Sequence, residues 1–324
     1  MHRQNASITS TDVFSEVALP PSALKTKMGV RFLITGPQHS GAWEGSCRAG
    51  DLERLTTKAE QASMQRHLNA LKEELASRML PPEVVLVEPT IVSSWAEGGD
   101  PVIRLPEAQL DLLAERDPET DVYVVTHPYE GVKIAERYRK PVIIMQPAGW
   151  AVDMPARIRL MGLESFHAET IDDVFGFVRV LMAKKALRRT KLLSVTNLPG
   201  RYPWGVVSGI EDMDAIRQRY GMETAFVDYK TFFAAMDRSV ADPKNQRRAE
   251  EIADLLLRNA GANMMTREDV IHSVEFYLAV SQMLGEHGAN AFTIECFELC
   301  TSMEPWKRRF VPCLTHALLK DTGY

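Results

Sequence analysis

Residues 121–145, DVYVVTHPYEGVKIAERYRKPVIIM, hold one complete strand–helix–strand unit. Residues 121–125 are an apolar, β-branched run that ends at Thr126-His127-Pro128. Residues 129–139 predict a helix, and residues 141–145 form a second run rich in Val and Ile. Both runs are continuous rather than alternating, which is the pattern of strands buried on both faces. Two such strands joined by a helix lie parallel, because a parallel pair needs a crossover connection. This unit predicts an α/β protein.

The same pattern extends both ways. Upstream, residues 30–35 (VRFLIT) form a first strand ended by Gly36-Pro37. Residues 52–79 carry apolar side chains at helical spacing (Leu52, Leu55, Ala59, Ala62, Leu68, Leu71, Leu75), and Pro81-Pro82 stops them. Residues 84–87 (VVLV) predict the second strand and residues 105–116 a helix. Downstream, residues 170–189 predict a helix whose basic end, Lys184, Lys185, Arg188 and Arg189, suits the negative pole of a helix dipole. Near residue 190 the pattern restarts. Strands are predicted at 191–196, 223–229 and 291–296, and helices at 210–220, 243–259 and 267–287, with Gly221 as a helix C-cap. A loop with Pro305, Trp306 and the basic cluster Lys307, Arg308 and Arg309 precedes a last short helix over 313–319. The expected organisation is a flexible, loosely attached arm over 1–28, a first α/β domain over 29–189 and a second over 190–324. Each domain is expected to be a doubly wound, Rossmann-like parallel sheet.

Composition narrows the function. The 324 residues are 45% hydrophobic and 25% charged, with a net charge of −5. This balance gives no reason to expect nucleic acid or an anionic membrane as partner. No apolar run approaches the ~20 residues that span a bilayer. Four cysteines do not make a disulfide framework in a chain of this length, so a cytoplasmic location is expected. Gly36-x4-Gly41 lacks the Lys of a phosphate-binding loop, and neither G-x-G-x-x-G nor G-x-S-x-G occurs in a fitting place.

In an open parallel sheet, ligands bind outside the carboxyl ends of the strands. That rule selects Gln38 and His39, Thr126 and His127, Gln146, Asn197, and Glu295 with Glu298. These groups hydrogen-bond hydroxyls, which suits a polyol. His127 is either a structural hydrogen-bonder or a ligand group. Glu295 and Glu298 are the acidic pair at a predicted strand end. Cys296-x3-Cys300 with Cys313-x2-His316 sets four potential zinc ligands in order, although Cys at a strand end and in an apolar helix also suits a core.

Two stretches resemble the L-arabinose isomerase and L-fucose isomerase superfamily. One is the tail, where AFTIECFEL (291–299) and PCLTHALLKDTGY (312–324) follow the family's order of strand, acidic segment, Pro-containing loop, short helix and turn. The other is Ile34-Thr35-Gly36-Pro37-Gln38-His39, similar to the family's strand with a Gln-His segment at the sugar site. The resemblance implies metal-dependent aldose–ketose isomerisation of a pentose or 6-deoxyhexose, with Gln38 and His39 as substrate contacts. It also implies Mn²⁺ or Mg²⁺ as cofactor and a homo-oligomer. The family's metal-binding Glu follows a turn like Asp321-Thr322-Gly323-Tyr324. The chain is therefore expected to lack the C-terminal catalytic domain and, taken alone, to be weakly active or inactive. A non-catalytic sugar-binding module with two lobes is the alternative, since fold does not fix function.

Overall fold

A computed structural model of the chain describes residues 17, 19–39, 56–96, 103–146, 152–197 and 213–322. The chain forms two compact units. One is Lys27–Ala183; the other is Lys184–Tyr324 together with the residues that precede Lys27.

The Lys27–Ala183 unit follows the order β1 (Met28–His39), α1 (Thr57–Ala76), β2 (Val84–Ala96), β3 (Ile103–Arg104), α2 (Glu107–Asp111), β4 (Val122–Val125), α3 (Pro128–Tyr138), β5 (Val142–Met145), α4 (Asp153–Leu160) and β6 (Ser165–Ala168). Helix α5 (Ile171–Arg188) begins in this unit. The sheet order is β3-β2-β1-β4-β5-β6. All neighbours pair in parallel except β3, which runs antiparallel against the end of β2. From β1 the chain winds first to β2 on one side and later to β4 on the other. The switch point of the sheet therefore lies between β1 and β4.

Side-chain alternation explains why the strand sequences are apolar throughout. Val30, Phe32, Ile34, Val122, Val124 and Ile143 face one side, where they meet Met64, Leu68, Leu71 and Leu75 of α1 and Ile171, Val174 and Val178 of α5. Leu33, Tyr123, Val125, Val142 and Ile144 face the other, against Leu110, Leu113, Val132, Ile134, Ala135 and Ile158. Both faces of the central strands are covered, so their sequences are predominantly apolar, and a buried polar side chain such as Arg31 is hydrogen-bonded.

Strand β2 runs well past the four apolar residues that announce it, to Ala96. Its register against β1 shifts between Arg31, opposite Val87, and Leu33, opposite Thr90. Glu88 and Pro89 thus share the space opposite Phe32. Pro89 has no N–H to give the ladder, and the bulge accommodates it. Arg31, buried at this bulge, donates from Nε to the Glu88 carbonyl (3.2 Å) and from Nη1 to the Leu113 carbonyl (3.0 Å). The helix expected over 105–116 is instead the short α2 followed by a 3-10 turn over Ala114–Glu119, which contains Pro118.

The second unit contains β7 (Lys191–Val195), α6 (Met213–Tyr220), β8 (Glu223–Val227), α7 (Tyr229–Ala241), α8 (Pro243–Asn259), α9 (Arg267–His287), β9 (Ala291–Ile294), α10 (Cys296–Thr301), α11 (Glu304–Arg308) and α12 (Pro312–Asp321). Its sheet is β8-β7-β9, parallel throughout. Gly221 closes α6 with φ +78°, and its N–H donates to the Arg217 carbonyl. Helix α9 is buried all round over residues 276–281, and Phe276 stacks on Phe310 with ring centroids 4.4 Å apart. Val17 and Leu19 pack on the same core, Ala23 and Thr26 are buried, and Met28 already belongs to β1. The described part of the expected arm is thus fastened, because its apolar side chains find a partly uncovered core.

Candidate functional site

The carboxyl edge of the six-stranded sheet is built where β1 and β4 diverge. Thr35 and Thr126 clasp each other there: the Thr35 N–H donates to Thr126 Oγ1 (2.8 Å), and that hydroxyl donates to the Thr35 carbonyl (3.1 Å). The His127 N–H donates to Thr35 Oγ1 (2.7 Å). His127 is the N-cap residue of α3 and precedes Pro128, which enforces its extended backbone.

The imidazole of His127 is held from below. Its Nδ1 lies 2.5 Å from Oε2 of Glu130, in the first turn of α3. The Glu130 side chain is fully buried, and its other oxygen accepts the hydroxyl of Ser94 from β2. The first turn of a helix, with its aligned N–H groups, is a favourable place for a carboxylate. Ser94, Glu130 and His127 therefore form a relay from the sheet interior to its edge.

Gln38 lies deeper than a strand-end contact. Its Nε2 donates to Ser93 Oγ (2.8 Å), and its Oε1 accepts from Gln61 Nε2 (3.2 Å). The amide ties β1, β2 and α1 together and is itself buried. His39 ends β1 opposite Ala96, and its side chain lies outside the described residues. Beside Thr126, a cleft of about 580 Å³ is lined by Arg78, Gln146, Glu169, Thr170 and Asp172 among others. Arg78 is paired with both Glu74 and Asp172, so its charge is balanced inside the cleft wall. The edge therefore offers hydroxyls, amides, an imidazole and carboxylates. It suits a neutral hydroxylated ligand better than a phosphate.

The three-stranded sheet has its own carboxyl edge. Glu298 accepts from Thr196 Oγ1 and from the Asn197 N–H, both at 3.2 Å. Asn197 Oδ1 in turn accepts from the Tyr229 N–H (3.1 Å). Glu295 is the N-cap of α10, its Oε1 accepting from the Phe297 N–H. The Tyr229 hydroxyl donates to the Glu295 carbonyl (2.6 Å). Burial, reinforced by the charges of Glu298 and Glu295, pushes the Tyr229 phenol well above its ordinary value. Glu295 and Glu298 thus meet at one edge, but each carboxylate already has internal donors.

Cys296, Cys300 and Cys313 are free thiols at exposed positions. His316 is exposed but lies against Phe292, with ring centroids 5.4 Å apart, and this partial desolvation holds the imidazole below the usual histidine value. Among the described residues no three His, Cys, Asp or Glu side chains gather at ligand distance. The oxygen-rich set that Mn²⁺ or Mg²⁺ requires is thus not assembled by them, nor is a zinc site. No described helix is long and apolar enough to cross a membrane.

Glu130 and Ser94 escape a reading by strand ends alone. Glu130 sits three residues after the helix N-cap, where a capping-box acid is expected, and that spacing is the signal for it. Ser94 lies on the part of β2 that apolar patterning does not reveal. The chain matches no protein-family model, and no curated protein matches it.

Proposed function

We propose that the chain binds an aldose of the pentose or 6-deoxyhexose class at the carboxyl edge of the six-stranded sheet, and that it belongs to an aldose–ketose isomerase system. One observation carries the reading. The β1–β4 switch point and its cleft present His127 and Gln146, whose Oε1 is buried without a hydrogen-bond partner among the described residues, and the one cation that lines the cleft among the described residues, Arg78, is already neutralised. Such a surface satisfies sugar hydroxyls as donors and acceptors at once. The resemblance of residues 34–39 and 291–324 to the arabinose and fucose isomerases supplies the reaction class. In that chemistry a proton moves between C1 and C2 of the sugar, and a divalent cation, when bound, polarises the O1 and O2 oxygens. The described residues do not gather a metal site, so their share is binding and orientation. The resemblance also supports a homo-oligomer.

The second reading, a non-catalytic sugar-binding module, is favoured by one arrangement. Glu295 and Glu298, the acidic pair, serve as helix cap and loop tether. Calorimetric titration of the full chain with L-arabinose, L-fucose and D-glucose separates the two, run with Mn²⁺ and again with EDTA and followed by a ketose assay. Ketose formation that needs Mn²⁺ supports the isomerase. Aldose affinity that EDTA leaves unchanged, without ketose, supports the module. No heat of binding with any aldose refutes both.

A further inference from the structure

We propose that Gln146 is the specificity-determining residue of the cleft: its side-chain amide meets a hydrogen-bearing group of the ligand, and Arg78 Nε donates to an oxygen of the same ligand. The backbone of Gln146 is fixed on both sides. Its N–H donates to the Ala168 carbonyl (2.9 Å), and its carbonyl faces His167 Nε2 at 2.8 Å. The side-chain amide lacks such an anchor: its Oε1 is buried without a hydrogen-bond partner among the described residues. No internal donor holds that oxygen, so rotation about the last side-chain bond, a broad torsion, lets the amide turn either end to a ligand. Gln38 differs, because both ends of its amide are used inside the fold. Arg78 is divided within one group. Its Nη1 and Nη2 hold Asp172 and Glu74, while its Nε is buried with no partner among the described residues. Gln146 and Arg78 line the same cleft of about 580 Å³.

Buried polar groups in folded proteins are nearly always paired, so two unpaired ones in the wall of one cleft point to what the cleft receives. One is an acceptor and the other a donor. Hydroxyls satisfy both, since each donates and accepts, whereas an ionised phosphate oxygen only accepts and leaves the Gln146 oxygen unpaired. That the hydroxylated ligand is an aldose rests on the function proposed above; that Gln146 and Arg78 read hydroxyls does not. An unpaired buried acceptor also weakens the free fold, which gives Gln146 a signature that a structural amide lacks.

The test uses the full-length chain. Side-chain ¹H–¹⁵N spectra, assigned through bonds, follow the Gln146 amide and the Arg78 Nε–H while L-arabinose, L-fucose, D-glucose, myo-inositol or inorganic phosphate is added. An aldose is expected to shift both signals, and phosphate neither. Gln146→Leu removes the unpaired oxygen and keeps much of the side-chain volume. Without ligand it is expected to melt no lower than the wild type. It is expected to bind the aldose about tenfold to a hundredfold more weakly, the usual loss for a hydrogen bond whose partner is left unpaired. Shifts of both signals with myo-inositol but with no aldose keep the assignment and remove the sugar reading. A Gln146→Leu variant that melts lower without ligand, or that binds the aldose as tightly as the wild type, overturns the assignment. So does a wild type in which no polyol moves both signals, whether or not the variant folds.

Discussion

Gly29 gives the sharpest test of the packing. A Cβ on this residue would lie 1.8 Å from the Glu119 carbonyl oxygen and 2.9 Å from its carbon. The obstacle is backbone, so no rotamer change relieves it, and the two segments must part by more than an ångström. Two bonds cross that seam: the Gly29 N–H donates to Asp121 Oδ2 (2.7 Å), and the Asp121 N–H donates to the Gly29 carbonyl (2.7 Å). Losing a carboxylate-assisted bond costs about 1.5–3 kcal/mol, and a neutral one about 1 kcal/mol. Gly29→Ala is therefore expected to destabilise the Lys27–Ala183 unit by about 2.5–4 kcal/mol. For a domain of that size this lowers Tm by about 10 °C. Differential scanning calorimetry measures it directly. Gly176→Ala is the control: inside α5, with nothing within 4 Å of the added methyl, it is expected to be neutral or to stabilise by about 0.5–1 kcal/mol. Equal Tm values for Gly29→Ala and the wild type would refute the packing at the β1 entry. A matching loss in Gly176→Ala would show that the effect was not steric.

Phe276 is fully buried, stacked on Phe310 and 5.3 Å from the Phe232 ring centroid. Phe276→Ala is expected to cost about 3–5 kcal/mol, read as a lower urea midpoint with an unchanged slope. His316 gives a pH signature. Its partial desolvation against Phe292 favours the neutral ring in the folded state, so the unfolded chain takes up a proton first as pH falls. Its contribution is therefore fully present above the ordinary histidine value of 6.5 and is lost as pH drops below it. His316→Phe should flatten that part of the stability–pH curve in urea titrations, and an unchanged slope would remove His316 as its source.

Periodicity reveals most of the fold because both faces of the large sheet are covered. Helices α8 and α9 match the expected 243–259 and 267–287, since their caps are local: Asp242 and Thr266 each accept from the first turn. The misses have separate causes. Strand β2 is hidden past Val87 by Pro89 and two serines, which belong there only because of the bulge and the polar contacts of Ser93 and Ser94. Helix α7 does place its buried residues at helical spacing (Tyr229, Phe232, Phe233, Met236), so the pattern is there to read, and contacts with Phe276 and Phe310 fix it. Helices α10 and α11 are too short to show a period. At the site, the strand-end rule finds His127 and Glu298 but not how they are held, since Glu130, Ser94 and Thr196 come from other elements. It also places Gln38 among ligand contacts, whereas the structure spends that amide on joining β1, β2 and α1.

The unequal strand lengths carry a last consequence. β1 is paired with both neighbours over Val30–Leu33, whereas beyond Leu33 only β2 continues beside it, to Ala96. On the open side the strand is held by the hydroxyls of Thr35 and Thr126 and the amide of His127. The outer half can thus part from β4 by breaking a few side-chain bonds while its ladder to β2 and the inner half stay intact. One strand therefore spans two levels of local attachment to β4, and the weaker level falls at the edge where ligand binding is proposed.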